Sequence, residues 1–542
     1  MSYPLPSTPS LQPTERTGQG AICGESQWQT HQYASFSGSY HLVTEHDPMG
    51  NSPHTASIHI LDDYSLLNIF DIYRPAIFDG DEGYVDLTEG GRAWDRERWW
   101  YKLAHVCQRW RNVIFGSPSH LDLCLVCTYR TPVADMLAHS PPLPLVVEYF
   151  RTDQVITTKD EEGIILALEQ HDRVRRVRLR IPASKLQKHF VAIDEEYPVL
   201  EYLILQPLEW DKKTALMLPK TFQAPRLRHL TLTGYALPTR SQLLTNAVGM
   251  VTLCLHMNHP DTYFQPNTLL QWVSFMPQLE TLVITFFFSV PIHDVERQLM
   301  NRPIITHVTL PNLRFLVLQG GSAYAEAVVD RITAPRLRKL DIWFSKQLTF
   351  SVPCLSQFIN TAANLRFDSA KFEFGRHSVF AGLYLREEIE IAPVKMIPLL
   401  IVVLCWHLDW QVSSVAQIFD SFGQILTTVE HLTLVHEVHS LSSEQHNEVD
   451  LSQWRKLLRS FSKVKTLRVD DGLVNEVSRS LRSDDGEVPL ELLPELQSLT
   501  YSGIGDTGDA FKPFINACQN AGRPVTLVHP NSRPVTPDVF HW

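Results

Sequence analysis

Four sets of residues have types and spacings that could do chemistry. Gly503-Ile-Gly505-Asp-Thr-Gly508 has the Gly-x-Gly-x-x-Gly spacing that lets backbone N–H groups approach a pyrophosphate. It follows a predicted strand, Leu499 to Tyr501, and precedes a predicted helix, Ala510 to Cys518, which is the context such a loop needs. Only 34 residues follow Gly508, too few for a nucleotide domain. The next strand, Val525 to His529, ends in Pro530-Asn531 where an acidic ribose ligand belongs, so a glycine-rich turn is expected. Cys124-Leu-Val-Cys127 has redox or zinc spacing but no second pair, and buried free thiols on a Leu-x-Leu strand are expected. Arg173-Val-Arg-Arg-Val-Arg-Leu-Arg180 interleaves arginine and apolar residues at strand spacing. That predicts one buried face and one solvated cationic face, able to meet an acidic peptide if the face is left open. His256 and His259 lie three apart beside Pro260, and the 23 histidines form no ligand cluster. No Ser–His–Asp order, carboxylate pair or phosphate loop stands out. The expectation is a protein that is not an enzyme and has no cofactor and no metal.

What positions these residues is a repeated phrase. It reads Pro198-Val-Leu200-Glu-Tyr-Leu203-Ile-Leu205, and returns at Pro225, Pro277, Pro311, Pro335 and Pro494 with apolar residues at the same offsets. Val174/Val177/Leu179, Val429/Leu432/Leu434 and Val464/Leu467/Val469 share the spacing without proline. Apolar spacing alone arises easily by chance in a chain that is 44% apolar, whereas proline is scarce, 35 in 542 residues. The proline therefore carries the signal, and its expected place is the extended approach to a strand, where its missing N–H breaks no ladder bond. The final apolar-x-apolar is the strand. Most intervals are 24 to 35 residues, and the 52-residue gap divides at Val251-Thr-Leu253-Cys-Leu255. Leu269 to Phe275, Val415 to Phe422 and Trp454 to Phe461 keep apolar residues three and four apart, as helices do. Between 343 and 428 extra units are expected near Phe372 and Trp406, in no clear register.

The strand–helix alternation over roughly 170–530 resembles an irregular leucine-rich repeat, without the asparagine that usually follows the strand. The resemblance implies an α/β solenoid that holds other proteins on its open surface.

The bulk numbers narrow the class. Net charge is −11, which disfavours a general nucleic-acid binder, and mean hydropathy is −0.11. No basic hydrophobic leader opens the sequence, and the longest apolar run, Ile397 to Trp406, is too short to span a bilayer and reads as a buried strand with its approach. No membrane partner is expected. Eight scattered cysteines fit a reducing compartment, cytoplasm or nucleus.

Residues 1–55, rich in Ser, Thr, Pro, Gln, Gly and His, read as disordered. Asp62-Asp63 precede Leu66, Leu67, Ile69, Phe70 and Tyr73, a capped amphipathic helix with acids at its positive end. A charged insertion runs from 78 to 98. Beyond it Trp99, Leu103, Val106, Cys107 and Trp110 recur at the spacing of a single helix, closed by Gly116-Ser-Pro118. Trp94, Trp99 and Trp100 suit either contact or packing. Leu121, Leu123 and Leu125 open a strand by alternation.

Ile60-Leu61-Asp-Asp-Tyr-Ser-Leu66-Leu67-Asn-Ile69-Phe70, with Leu103-Ala-His-Val106-Cys107-Gln-Arg109-Trp110-Arg111-Asn-Val113-Ile114, resembles the F-box, especially its fungal versions. The family usually has Leu-Pro where this chain has Leu61-Asp62, and joins its halves more tightly. The resemblance implies a small all-α unit over 56–118 that docks on the Skp adaptor of a cullin-type ubiquitin ligase. The repeat region, 119–535, would then hold an unknown protein substrate. Adaptor contact or internal core would fall to Leu61, Leu66, Leu67, Ile69, Phe70, Leu103, Val106, Cys107 and Trp110. The rival expectations are a repeat scaffold with no ligase link, whose helices cap the solenoid, and a nucleotide-dependent oxidoreductase using the Gly503 loop.

Overall fold

The proline phrase folds as a turn. In each copy the carbonyl before the proline accepts a hydrogen bond from the N–H of the leucine. Tyr197 O accepts from Leu200 (3.3 Å), Ala224 O from Leu227 (3.1 Å), Met276 O from Leu279 (3.1 Å) and Leu493 O from Leu496 (3.1 Å). Proline thus occupies the second position of a four-residue turn, where its fixed φ is already correct. This corrects the expectation of an extended proline; the strand begins only after the turn. The same turn closes without proline at Ala247–Met250 (3.1 Å) and Ala362–Leu365 (2.9 Å), so proline reinforces the turn rather than creating it. Side chains stitch successive turns: Asn312 Nδ2 donates to Pro277 O (3.2 Å), Asn364 Nδ2 to Pro335 O (3.1 Å) and Arg523 Nη1 to Pro494 O (2.8 Å).

The computed structural model describes residues 61–74, 98–150, 155–191, 195–209, 215–287, 307–345, 347–386, 397–436, 450–482, 492–501 and 510–528. All belong to one compact unit, Leu61–Trp542. The expected disordered segment 1–55 and the Gly503–Gly508 loop lie outside the described residues, as does Trp94.

A long sheet organises this unit. Its strands are β1 (Leu125–Thr128), β2 (Leu145–Tyr149), β3 (Val174–Ile181), β4 (Tyr202–Pro207), β5 (His229–Thr233), β6 (Thr252–Met257), β7 (Thr281–Phe286) and β8 (Phe315–Gly320). They continue as β9 (Lys339–Ser345), β10 (Ser369–Phe374), β11 (Ser378–Tyr384), β12 (Leu399–Leu404), β13 (His431–His436), β14 (Thr466–Val469), β15 (Ser498–Tyr501) and β16 (Thr526–Val528). Neighbours follow chain order to β9, then run β12, β11, β10 before resuming at β13. Pairing is parallel except at β10–β11 and β11–β12. The region between 343 and 428 therefore holds a meander inserted in reverse order. Phe372 lies in β10, and Trp406 lies just past β12.

One register unites the sheet. Cys127, Val147, Val177, Leu203, Leu230, Leu253, Leu282, Leu316, Leu340 and Leu399 are paired in succession. The line continues through Leu383, Ala370, Leu432, Leu467, Leu499 and Leu527. The middle leucine of every phrase sits on it. These residues point into the main core with the helices Pro266–Val273, Leu408–Asp420 and Leu451–Arg459, which match the three predicted helical runs. Each fully buried leucine contributes about 1.5–3 kcal/mol by leaving water. The alternate residues face away, and some of their buried members form two separate small clusters.

Ahead of the sheet stand α1 (Asp63–Tyr73), α2 (Trp99–Ala104) and α3 (Gln108–Gly116). Asp62 caps α1, its Oδ1 accepting from Ser65 N at 2.6 Å. The single helix expected from Trp99 to Trp110 is two. Cys107 is extended (φ −158°) and caps α3, its Sγ accepting from Trp110 N at 3.5 Å, so the chain breaks where the thiol replaces a helical carbonyl. Arg98 Nη2 donates to Val126 O at 3.1 Å on the edge of β1 that pairs with no strand among the described residues.

Candidate interaction surfaces

The N-terminal helices close on Leu66, Phe70 and Ile114, which are fully buried. Trp110 meets Phe70 edge-on, ring centroids 4.8 Å apart. Trp99 and Trp100 are buried, Trp100 edge-on against Phe115 at 5.6 Å, so they pack rather than offer contact. Arg109 binds α1, donating to Leu61 O (2.5 Å) and Asp63 Oδ1 (2.8 Å). A solvent-open cleft lies between α1 and α3, with Leu67 and Val113 at its floor and Asp63, Arg109, Asn112 and Ser117 at its rim. The helices are tethered to the sheet by a charge chain. Arg74 pairs with Asp122 (2.9 Å), Asp122 with Arg175, and Arg175 with Glu201 (2.8 Å).

Of the nine residues singled out in the sequence, Leu66 and Phe70 are core. Leu61, Leu67, Leu103 and Trp110 are half-buried against that core, and half-buried Cys107 is a cap. Only Ile69 and Val106 are exposed, 42% and 58%. Ile72 (85%), Tyr73 (58%) and Tyr64 (71%) join them as exposed large apolar side chains of these helices. Tyr64 and Ile72 escaped the sequence reading because they fall outside the core-facing periodicity of α1, and that same offset is the signal that could have found them.

The second surface is the sheet face away from the helices. The predicted cationic strand is β3. Arg173 serves its approach, its Nη2 donating to Leu143 O at 3.0 Å, and Arg175, inside the strand, is the residue paired with Asp122 and Glu201. Arg176, Arg178 and Arg180 stand on the face turned away from the core, where Arg178 is buried rather than solvated as expected and the other two are half-buried. Arg178 lies 3.5 Å from Glu148, and its guanidinium sits 4.1 Å from the centre of the Phe150 ring. The Nε atoms of Arg178 and Arg180 are buried without hydrogen-bond partners among the described residues.

Next along this face come histidine–threonine pairs. His229 Nδ1 meets Thr252 Oγ1 at 3.2 Å and His256 Nδ1 meets Thr285 Oγ1 at 2.8 Å. Burial lowers His256 to about 4. His259 instead accepts from Asp261 N at 3.1 Å, so the two histidines do not converge.

Beyond them the face turns apolar. Val283, Phe315, Val317, Leu400 and Val402 are buried, and Trp343 meets Phe380 at a right angle, 6.2 Å between centroids. Asp341 lies among them with Lys339 Nζ at 3.3 Å; burial raises its carboxyl to about 6 against the pull of that lysine. Past β12, Trp406 and Trp410 are exposed, each against a histidine ring: His377 at 4.0 Å and His407 at 4.6 Å.

The Cys124–Cys127 pair divides between the two faces of β1. Cys127 joins the main core, and burial pushes its thiol up to about 12; Cys124 packs with Val126 and Val146 opposite. Both are free. Among the described residues, no group of three or more His, Cys, Asp or Glu side chains is placed to hold a metal ion.

No family model matches the chain, and no curated protein is similar to it. Among solved structures, the leucine-rich repeat-containing protein LegL7 from Legionella pneumophila is similar at 13% identity and a TM-score of 0.21. The similarity covers 73% of this chain and 98% of that one.

Proposed function

We propose that this chain is a non-catalytic protein-recognition subunit, with α1–α3 docking on the Skp adaptor of a cullin-type ubiquitin ligase and the open sheet face holding a protein target. The observation that carries this reading is the exposed apolar patch of Ile69, Ile72 and Tyr73, three and four apart on α1, together with exposed Val106 past α2, on helices whose own core is already closed. An exposed apolar patch on a soluble surface marks a partner site. The mechanism is positioning: one end recruits, the other raises the local concentration of target.

Copurification with the Skp adaptor tests it. The wild-type chain is expected to bind, and Ile72→Asp with Val106→Asp is expected to abolish binding while leaving the melting temperature unchanged, because both side chains are exposed. No binding by natively folded protein sinks the adaptor assignment. A second reading, a scaffold without a ligase link, is favoured by the continuity of Leu66, Phe70 and Ile114 with the core that includes Leu121 and Leu123, as a capping bundle requires.

A further inference from the structure

Charge of one sign collects along the ridge formed by the turns that precede the strands. Residues 311–370 hold seven Lys and Arg against four Asp and Glu, in a chain of net charge −11. The four acids are each engaged. Glu326 accepts from Cys354 N and Leu355 N, Asp330 pairs with Arg331 (3.0 Å) and Asp341 with Lys339 (3.3 Å). Asp368 Oδ1 accepts from Ser369 Oγ (2.7 Å) and Arg386 N (3.0 Å). Arg314 is paired with Glu280 at 3.7 Å. Arg336, Arg338 and Arg366, by contrast, are exposed and form no ion pair among the described residues.

The fold brings these three arginines to adjacent turns. Asn364 Nδ2 reaches Pro335 O at 3.1 Å, so the turn before β10 lies against the turn before β9, although β12 and β11 separate the two strands in the sheet. Arg336 is also oriented. Its Nη1 donates to Asn312 Oδ1 at 3.0 Å, and Asn312 Nδ2 is anchored on Pro277 O (3.2 Å) and Gln278 Oε1 (3.3 Å). A neutral amide fixes that guanidinium without cancelling its charge, which lowers the ordering cost of binding an anion. Adjacent strands lie about 4.8 Å apart, so three successive turns extend over roughly 10 Å, the length of about three extended residues. Among the described residues, no exposed large apolar side chain lies in 311–314, 335–338 or 363–366, so this ridge has no platform on which bases could stack. The negative charge of the chain as a whole opposes a long polyanion.

We propose that the ridge binds a short acidic segment of a partner protein, about two or three Asp or Glu within about four residues, which Arg336, Arg338 and Arg366 engage through guanidinium–carboxylate hydrogen bonds. The proposal is independent of the adaptor docking and of the sheet face: these arginines lie before the strands and outside α1–α3.

The test is selection of a displayed random 12-residue peptide library on the full-length chain, followed by fluorescence anisotropy with the enriched peptides. Enriched peptides are expected to carry two or more acids within four residues. Arg338→Glu with Arg366→Glu is expected to weaken their binding about tenfold or more, and Arg338→Gln, a milder change, about threefold. Arg226→Glu with Arg228→Glu reverses the same amount of charge before β5, four strand steps from β9. That is roughly 19 Å, beyond the screening length of about 8 Å at physiological salt, and a change of less than about twofold is expected. All the substituted side chains are exposed, so melting temperatures are expected to stay at the wild-type value. Absence of enrichment, or peptides without acids, overturns the proposal. Equal loss against both charge reversals overturns it in favour of general attraction to a positive surface. Equal competition by a 20-nucleotide single-stranded DNA overturns it in favour of a polyanion site. Copurification with the Skp adaptor is expected to be unchanged by Arg338→Glu with Arg366→Glu; its loss would place the ridge inside the adaptor interface and overturn the proposal.

Discussion

Asp341 offers the sharpest physical test of the open face. Its side chain is 6% exposed, its Oδ1 has no hydrogen-bond partner among the described residues, and Lys339 stands 3.3 Å from its other oxygen. Burial raises the carboxyl from 3.8 to about 6. A group whose folded value lies above its unfolded value contributes stability that is complete below the unfolded value and is lost as pH rises through the folded one. The interval from 3.8 to about 6 corresponds to about 3 kcal/mol, of which about 1 kcal/mol falls between pH 5 and pH 7.5. The histidines oppose this. His256, lowered to about 4, and His189, lowered by burial, favour the neutral ring, so their contribution is lost as pH falls below about 6.5. Wild-type stability alone therefore mixes the two signs, and the difference against Asp341→Asn isolates one. Urea denaturation at pH 5.0 and 7.5 is expected to show the variant gaining about 1 kcal/mol relative to wild type on going to the higher pH. The pull of Lys339 on the ionised carboxylate is already contained in the folded value and adds no separate pH dependence. A difference that is flat with pH, or that favours the wild type at pH 7.5, refutes the argument.

Two further outcomes follow from single contacts. Glu326 caps the next repeat's helix, Pro353–Thr361, its Oε1 accepting from Leu355 N (2.8 Å) and Oε2 from Cys354 N (2.9 Å). Glu326→Ala is expected to cost about 1–3 kcal/mol in urea denaturation, and Glu326→Gln less, since the amide keeps one acceptor. Burial pushes the thiols of Cys127, Cys254 and Cys405 up to about 12. Iodoacetamide at pH 8 is expected to modify Cys107 in the native protein before any of those three, and all four once urea unfolds the chain, as peptide mass mapping would read.

Much of the architecture was legible because strand side chains alternate. Val177, Leu203, Leu230, Leu253, Leu282, Leu316, Leu340, Leu432, Leu467 and Leu499 were picked by spacing, and they fall on one continuous line of paired residues. A period of two fixes which face a residue joins, and a one-residue slip would turn every leucine outward, so the register is strongly specified. The same alternation announced that Arg176, Arg178 and Arg180 share a face.

The proline was legible as a marker but not as a turn residue, because a turn is defined by a hydrogen bond between its ends and not by its composition. Neighbour order was illegible too. Phe372 and the Leu399–Leu404 strand have good strand sequences, but nothing local says that β12, not β10, pairs with β9. That choice depends on contacts between segments about 60 residues apart. The helical unit shows the same limit. Its sequence located Leu66, Leu67, Ile69, Phe70, Val106 and Trp110, yet only packing separated the core pair Leu66 and Phe70 from the exposed Ile69 and Val106. A side chain's face is written in its own segment; its burial belongs to whatever lies across from it.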